Sequence, residues 1–185
     1  MQLERILRGV DIGEIEIRPL SLEQYDGNVK NVARAARAGW QLPHGPIQNL
    51  TKTIERVRGI VILMDFGTKR IDAISMWPPG MPPLFFMNIN SPGDRLRFTL
   101  AHELGHILMH HQEVVLDLEI EDQANQFAAE FLMPEKEIRP YLSNISLEKF
   151  ASLKSYWKVS MAALLKRASD LGEITPRSDA RFNNA

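Results

Sequence analysis

The segment from Arg97 to His110 constrains the fold more than any other, because it contains the pattern His102-Glu103-x-x-His106. On an α-helix, residues four positions apart lie on the same face, so both imidazoles can direct one nitrogen to a single point. Glu103 lies about 100° around the helix from His102, close enough to contact a ligand of a bound ion. The pattern predicts a helix that binds zinc through two histidines and carries a glutamate general base.

Apolar and small residues surround this pattern at helical spacing. An apolar stripe lies beside the histidines and consists of Leu100, Leu104, Ile107 and Leu108. The small residues Ala101 and Gly105 would let another helix approach closely. This composition favours a buried metal-binding helix. The alternative is a helix whose two histidines only satisfy local carbonyl groups.

Composition narrows the class of protein. The chain has 185 residues, 44% of them apolar and 24% charged, which is typical of one soluble domain, and a net charge of −1 that favours neither nucleic acid nor membrane. It has no cysteine, so disulfides, thiolate zinc sites and cysteine nucleophiles are excluded. Neither a signal sequence at the N-terminus nor an apolar run long enough to span a bilayer is visible, so a cytoplasmic protein is expected.

The periodicity of the chain predicts an α+β fold. A small, mainly antiparallel three-stranded sheet is expected to pack on a zincin-like helical core, followed by a C-terminal helical subdomain. Helices are expected at 1–10, 29–40, 46–58, from 94 through His106, 119–133, 135–142, 146–157 and 160–171, and strands at 59–66, 71–77 and 84–90. Residues 1–142 would form the metal-binding domain, 143–175 the helical subdomain and 176–185 a polar tail.

A catalytic zinc site of this kind needs a third protein ligand, and the acidic stretch from 113 to 137 offers several. Glu121 lies on one helical stripe with small residues and with Asn125, one turn later. Asn125 can hydrogen-bond a metal ligand and orient it. Glu121 is therefore the favoured third ligand, and Glu130 in the same helix is the alternative.

Two motifs together carry a resemblance to a known family. They are Arg97-Phe98-Thr99-Leu100-Ala101-His102-Glu103-Leu104-Gly105-His106 and Glu121-x-x-Ala124-Asn125-x-Phe127-Ala128-Ala129-x-x-Leu132-Met133-Pro134. The segment from about 84 to 135 resembles the ImmA/IrrE family of bacterial metallopeptidases. The resemblance implies zinc held by His102, His106 and Glu121, with Glu103 as the base.

The resemblance also implies a substrate class, namely helix-turn-helix repressors that are cut and inactivated, which derepresses stress or mobile-element genes. Family members also occur as C-terminal parts of longer regulators that begin with a helix-turn-helix. The N-terminal part of this chain shows no such module, so a stand-alone enzyme and a fragment of a longer regulator both stay open.

Several further residues have more than one interpretation. His110 is an oxyanion donor, a residue that orients a metal ligand, or a helix-terminal histidine near the helix dipole; Arg97 and Tyr141 are weaker donor candidates. The strand at 84–90 is either a sheet edge that binds substrate backbone or a core strand.

The last two helices resemble a helix-turn-helix outline. A modest basic face is available for DNA: Lys154, Lys158, Lys166 and Arg167. Packing within the domain, or docking of a partner repressor, is the favoured alternative.

Two functional hypotheses follow. The first is a zinc-dependent endopeptidase that hydrolyses a bond in a specific protein partner, probed by replacing Glu103 or His102. The second is a non-catalytic regulatory or sensing module that binds protein or DNA. A His/His/Glu site is also compatible with Mn²⁺ or Fe²⁺.

Overall fold

The computed structural model describes residues 16–110, 117–143 and 146–174. Within these ranges it contains seven α-helices, three β-strands and one short 3-10 helix (Leu22–Tyr25). In chain order the elements are α1 (Val29–Gly39), α2 (Leu50–Arg56), β1 (Ile60–Met64), β2 (Ala73–Met76), β3 (Leu84–Asn88), α3 (Gly93–Met109), α4 (Leu118–Leu132), α5 (Glu135–Leu142), α6 (Leu147–Trp157) and α7 (Met161–Asp170). The α+β class is as predicted, while the helix expected at 1–10 and the tail at 176–185 lie outside the described residues.

Helices α3 and α4 pack against each other at the centre of the molecule. The predicted apolar stripe of α3 is buried, with Leu104 and Leu108 at most 1% exposed. Gly105 is the point of closest approach, since a Cβ there would lie 3.1 Å from the Phe127 ring and 3.3 Å from the Ala124 Cα. The small residue lets the backbone of α4 come close to α3, and this brings the carboxylates of α4 within reach of the histidines.

The three strands form one mixed sheet in the order β1-β3-β2. β1 pairs with β3 in parallel, with Ile60 opposite Leu84, and β2 pairs with β3 antiparallel. Tight connections predict a mainly antiparallel sheet; the β2–β3 pair matches this expectation and the parallel β1–β3 pair does not. The physical reason is that β3 is the most buried strand, and a central position satisfies its backbone groups on both edges.

The central position of β3 selects between the two interpretations of residues 84–90. Because β3 has a partner along both edges, it is the core strand and cannot accept a further strand. In the part of the chain that the structure describes, the free edge next to the α3 histidines belongs to β2, whose Ser75 contacts Glu103. Strand addition at this site therefore requires β2.

Helix bounds follow the local capping residues. Apart from α2, each helix begins within one residue of its predicted start, and Asp94 is an acid in the first turn of α3, as expected. Helix α2 was predicted from residue 46 but begins at Leu50, because the side chain of Asn49 accepts a hydrogen bond from the Lys52 amide at 3.0 Å. Gly172, with φ of +73°, follows α7 as the predicted left-handed terminator.

Helices α6 and α7 belong to the same hydrophobic core as α3 and α4. Trp157 is 1% exposed and fills the core, as predicted. The proposed DNA-contacting residues are largely occupied by neighbours, because Arg167 is buried and paired with Glu130, and Lys154 pairs with Asp94 at 3.1 Å. This arrangement favours packing over DNA contact for these helices.

Candidate metal centre

Three side chains from α3 and α4 converge on one point. His102 Nε2 and His106 Nε2 lie 3.0 Å apart, as their spacing on one helix face predicted. The Glu121 carboxylate faces both: Oε2 lies 3.3 Å from His102 Nε2, and Oε1 lies 3.3 Å from His106 Nε2. Among the described residues, these three form the one group whose ligand atoms all lie within 4.8 Å of one another.

The tautomer of His102 is set by a side chain of α4. His102 Nδ1 lies 3.0 Å from Asn125 Oδ1. An amide oxygen can only accept, so Nδ1 carries the proton and donates it to Asn125. Nε2 then has no proton and presents its lone pair toward His106 and Glu121.

The tautomer of His106 follows from a longer chain of hydrogen bonds. His110 Nε2 lies 2.8 Å from Gln123 Oε1, which can only accept, so His110 Nδ1 is the acceptor nitrogen of that ring. His106 Nδ1, 3.3 Å from His110 Nδ1, must then be the donor. Gln123 is held in turn by the bond from its amide nitrogen to Glu119 Oε1 at 3.2 Å. His106 therefore also directs a lone pair from Nε2 into the site.

This donor set fits a small divalent cation. Zinc prefers neutral imidazole nitrogens and carboxylate oxygens in a tetrahedron with bonds of about 2.0–2.1 Å, whose edges are then about 3.3 Å. The 3.0 Å between the two Nε2 atoms and the 3.3 Å from each Nε2 to a Glu121 oxygen are close to that edge length, although the two contacts use different oxygens of the carboxylate. Burial also lowers the pKa of His106 to about 4, so its ring is neutral near pH 7, as a ligand must be.

Glu103 lies beside this group and faces β2. Its Oε2 accepts a hydrogen bond from the Ser75 hydroxyl at 2.5 Å. Burial raises the pKa of the Glu103 carboxyl, and the Ser75 hydrogen bond opposes that rise. The group is thus a fixed carboxylate whose proton affinity exceeds that of an exposed glutamate, which suits a proton acceptor.

A cleft of about 1040 Å³ gives access to the site. His102, Glu103 and Glu121 line it, with β2 contributing Ala73 on one side and α7 contributing Ala163 on the other. The volume is at the upper limit usual for ligand clefts, and Ala73 at the start of β2, the edge strand, lines the cleft together with Asp72. An extended peptide could therefore lie in it against that edge.

The alternative third ligand occupies a different environment. Glu130 is fully buried and binds Arg34 through Oε1 at 2.8 Å, while its other oxygen contacts Arg167. It also accepts from the Glu135 amide. Its carboxylate is therefore part of an ion-pair network that joins α1, α4 and α7, and it does not lie in the group formed by the histidines.

The other donor candidates lie away from the cleft. Arg97 donates to the Ile47 carbonyl and lines another cavity, and Tyr141 is an exposed residue of α5. Asn125 contacts His102, and His110, which is 6% exposed, contacts His106. This contact is compatible with a role for His110 in orienting His106, which stays a prediction among its three interpretations.

Sequence reasoning missed two residues of the site. Ser75 is 28 positions from Glu103 and belongs to a strand with no motif. Gln123 lies on the predicted α4 helix, two residues after Glu121 and two before Asn125, so its helical position could have indicated a second side chain directed toward α3. Neither residue type alone signals such a role.

Comparison with known proteins places the chain among relatives. It is 29% identical to the metallopeptidase ImmA of Bacillus subtilis, in an alignment that covers 50% of this chain and 60% of that protein. A transcriptional regulator of Mycobacterium tuberculosis has a similar fold, with a TM-score of 0.54 and 15% identity over 76% of this chain and 46% of that one. The chain thus spans less than two thirds of the length of either protein.

The family comparison covers most of the elements that build the site. Residues 55–169, from the end of α2 into α7, match the peptidase family described as the IrrE N-terminal-like domain. None of the seven described helices has the length and hydropathy needed to cross a bilayer.

The matched range 55–169 contains the whole sheet, both helices of the candidate metal centre and the residues lining the cleft from β2 to Arg167. The chain therefore belongs to the ImmA/IrrE family of metallopeptidase-like proteins.

Proposed function

We propose that this protein is a zinc-dependent endopeptidase that hydrolyses a peptide bond in a specific protein partner. The observation that carries the proposal is the convergence of His102 Nε2, His106 Nε2 and the Glu121 carboxylate within 3.3 Å of one another. Glu103 lines the same cleft. The metal ligands are His102, His106 and Glu121, and Glu103 is the catalytic base.

The residues divide the chemistry among them. Zinc, when bound, supplies a Lewis acid that polarises the scissile carbonyl and makes water more acidic. Glu103 takes a proton from the attacking water and passes it to the leaving amine. Ser75 holds the Glu103 carboxylate in position, while Asn125 and His110 hold the two imidazoles.

The free edge of β2 is the proposed binding site for the substrate backbone. The Asn88 amide donates to the Asp72 carbonyl at 2.9 Å, so Asp72, Ile74 and Met76 direct their backbone groups toward β3. By the alternation of an antiparallel ladder, the backbone groups of Ala73 and Ser75 point away from β3, and Ala73 lines the cleft. A substrate must therefore present an extended segment, which directs cleavage to loops, linkers or locally unfolded regions.

The proposed substrate class is a helix-turn-helix repressor, which rests on the family resemblance and on the relative named metallopeptidase ImmA. The free edge requires such a repressor to expose an extended linker. Cleavage there would separate its DNA-binding part from the remainder of the protein. The protein would then act in transcription regulation by removing a repressor.

Metal content gives the first test. We expect about one zinc per chain by inductively coupled plasma mass spectrometry, with loss of the metal in His102→Ala and in Glu121→Ala. Glu103→Gln should retain the metal, because Glu103 is not a ligand. The proposal is wrong if the wild-type chain binds no divalent metal under any loading condition. If the wild-type chain instead holds iron or manganese after anaerobic purification, the identity of the metal is revised and the proposed ligands are kept.

Cleavage gives the second test. A co-purified candidate repressor should be cut by the wild-type chain and not by Glu103→Gln, with the scissile bond read by mass spectrometry. Glu55→Gln, which changes an exposed carboxylate of α2, is the matched control and should cut normally. If the zinc-loaded wild type cuts no repressor, while Glu103→Gln retains the biological output, a non-catalytic regulatory module is the correct function.

A further inference from the structure

A second cavity, of about 510 Å³, shares no lining residue with the cleft of the metal centre. Its walls come from five elements, namely the start of α2, strands β1 and β3, the first half of α3 and the end of α6. The volume falls within the usual range for small-molecule sites. Nothing in the proposed peptidase chemistry uses this cavity.

The deep part of the cavity is apolar. Leu100, Met87 and Val159 line it and are at most 4% exposed, and Val61 and Leu96 complete this surface. Such a surface is suited to a hydrocarbon group, which gains free energy in proportion to the apolar area it removes from water.

The charged groups of the cavity are unbalanced. Arg97, Lys154 and Lys158 line it, with Asp94 as the single acid, which pairs with Lys154 at 3.1 Å. Two cations remain, and neither contacts a carboxylate among the described residues. Within the described ranges, Lys158 Nζ bonds to Gln48 alone, at 3.0 Å to the carbonyl and 2.8 Å to the side-chain oxygen.

Arg97 is the less satisfied of the two cations. Its guanidinium donates to the Ile47 carbonyl, but its Nε is fully buried and has no hydrogen-bond partner in the described part of the chain. Burial lowers the pKa of Arg97 to about 10. A buried charge without a counterion is costly, and an anion beside Arg97 in the cavity would supply that counterion.

We propose that this cavity binds a small amphipathic carboxylate, with the head group at Arg97 and Lys158 and the hydrocarbon part against Val61, Met87 and Leu100. Two unpaired cations next to an apolar wall match a ligand with one compact negative charge and a chain of several carbons. A highly charged ligand such as a nucleoside triphosphate fits less well, because most of its charge would lie against apolar side chains. The site is independent of the proposed peptidase activity.

The test measures binding to the full chain by isothermal titration calorimetry. The probes are straight-chain carboxylates from hexanoate to decanoate, with octanamide as the neutral match for octanoate and acetate as the head group alone. We expect saturable binding of at least one of the longer carboxylates. Octanamide and acetate should each bind at least about tenfold more weakly, because octanamide loses the charge-assisted hydrogen bond and acetate loses the apolar contact.

Variants locate the site. Arg97→Met and Lys158→Met should each weaken carboxylate binding about tenfold, while Lys69→Met, an exposed lysine outside the cavity, should leave it unchanged. Lys158 is exposed, so its variant keeps the test informative if Arg97→Met does not fold. Absence of saturable binding by every carboxylate, equal binding of octanoate and octanamide, or equal effects of Lys158→Met and Lys69→Met would each overturn the proposal.

Discussion

The side chain of Asn125 determines which ring nitrogen of His102 carries no proton. Its Oδ1 accepts from His102 Nδ1 at 3.0 Å, and this bond both fixes the tautomer and holds the plane of the ring. Groups that orient a metal-binding histidine in this way usually raise metal affinity by about 10–100-fold. The position of Asn125, one turn after Glu121, places the proposed third ligand and the proposed orienting group on one helix.

We therefore expect Asn125→Ala to weaken zinc affinity by roughly 10–100-fold, measured by competition with a chelator of known affinity. Gln126→Ala is the control, because Gln126 bonds to Asp122 on the exposed side of the same helix and touches none of the ligands. Equal zinc affinities for the two variants would contradict the orienting role of Asn125.

Glu130 is a fully buried carboxylate with charged partners on two other helices. Replacing it by glutamine leaves the guanidinium of Arg167, itself 3% exposed, without a counterion in the core. Breaking a buried ion pair in this way usually costs about 3–5 kcal/mol. We expect Glu130→Gln to lower the free energy of unfolding by about that amount, as measured by urea denaturation.

The same variant separates stability from metal binding. Glu130→Gln should still bind zinc, because its carboxylate lies outside the group of His102, His106 and Glu121. Glu148→Gln, an exposed acid of α6, is the control for stability and should change the unfolding free energy by less than about 0.5 kcal/mol. Loss of zinc from a folded Glu130→Gln protein would instead make Glu130 a participant in the metal centre.

At the scale of elements, the close packing of α3 on α4 depends on Gly105. A valine at this position would place its branched Cβ against Phe127 and the backbone at Ala124, which cannot move without shifting α4. We expect Gly105→Val to destabilise the protein by about 1–3 kcal/mol, as overpacking does, and to weaken zinc affinity because Glu121 moves with α4. Urea denaturation and chelator competition measure the two effects.

Gly39→Val provides the comparison for this change. Gly39 is the last residue of α1, and a Cβ there meets no atom within 4 Å. The same substitution should therefore leave both stability and zinc affinity near the wild-type values. If the two glycine variants behave alike, the contact between α3 and α4 is looser than the distances at Gly105 indicate.

The sequence predicts those elements whose determinants are local. The bounds of α3 to α7 follow from capping residues and helical periodicity, and Glu121 follows from the small-residue stripe of α4. The order of the strands cannot be predicted in this way. The position of β3 between β1 and β2 depends on which strand can be buried on both edges, and this is a property of the whole sheet. Ser75 is unpredictable for the same reason, since its contact with Glu103 exists only once β2 forms an edge.

At the scale of the whole molecule, Glu135 connects helices that are distant in sequence. Its carboxylate binds Lys30 of α1 at 2.9 Å and Arg139 of α5 at 2.8 Å, and Arg139 reaches Glu173 beyond α7 at 2.7 Å. The hydrogen bond from Lys30, followed by that from Arg139, lowers the pKa of Glu135 from 4.5 to about 2. The network therefore contributes stability only while this carboxyl is ionised.

The sign of the resulting pH dependence follows from linkage. A carboxyl whose pKa is lower in the folded state stabilises the fold above its unfolded pKa and loses that contribution as the pH falls through its folded pKa. Glu135 should thus stabilise the protein fully above about pH 5 and progressively less between about pH 5 and pH 2. Because the pair is partly exposed, a contribution of about 1 kcal/mol is expected.

The variant Glu135→Gln isolates this contribution. The difference in unfolding free energy between wild type and Glu135→Gln should be about 1 kcal/mol near neutral pH and should shrink as the pH is lowered toward 3, when both are measured by urea denaturation in the same buffers. Glu23→Gln, an exposed acid near the start of α1, should show a smaller difference that does not follow this course. A difference between wild type and Glu135→Gln that stays constant from neutral to acid pH would mean that the ion pair with Lys30 does not hold α1 and α5 together in solution.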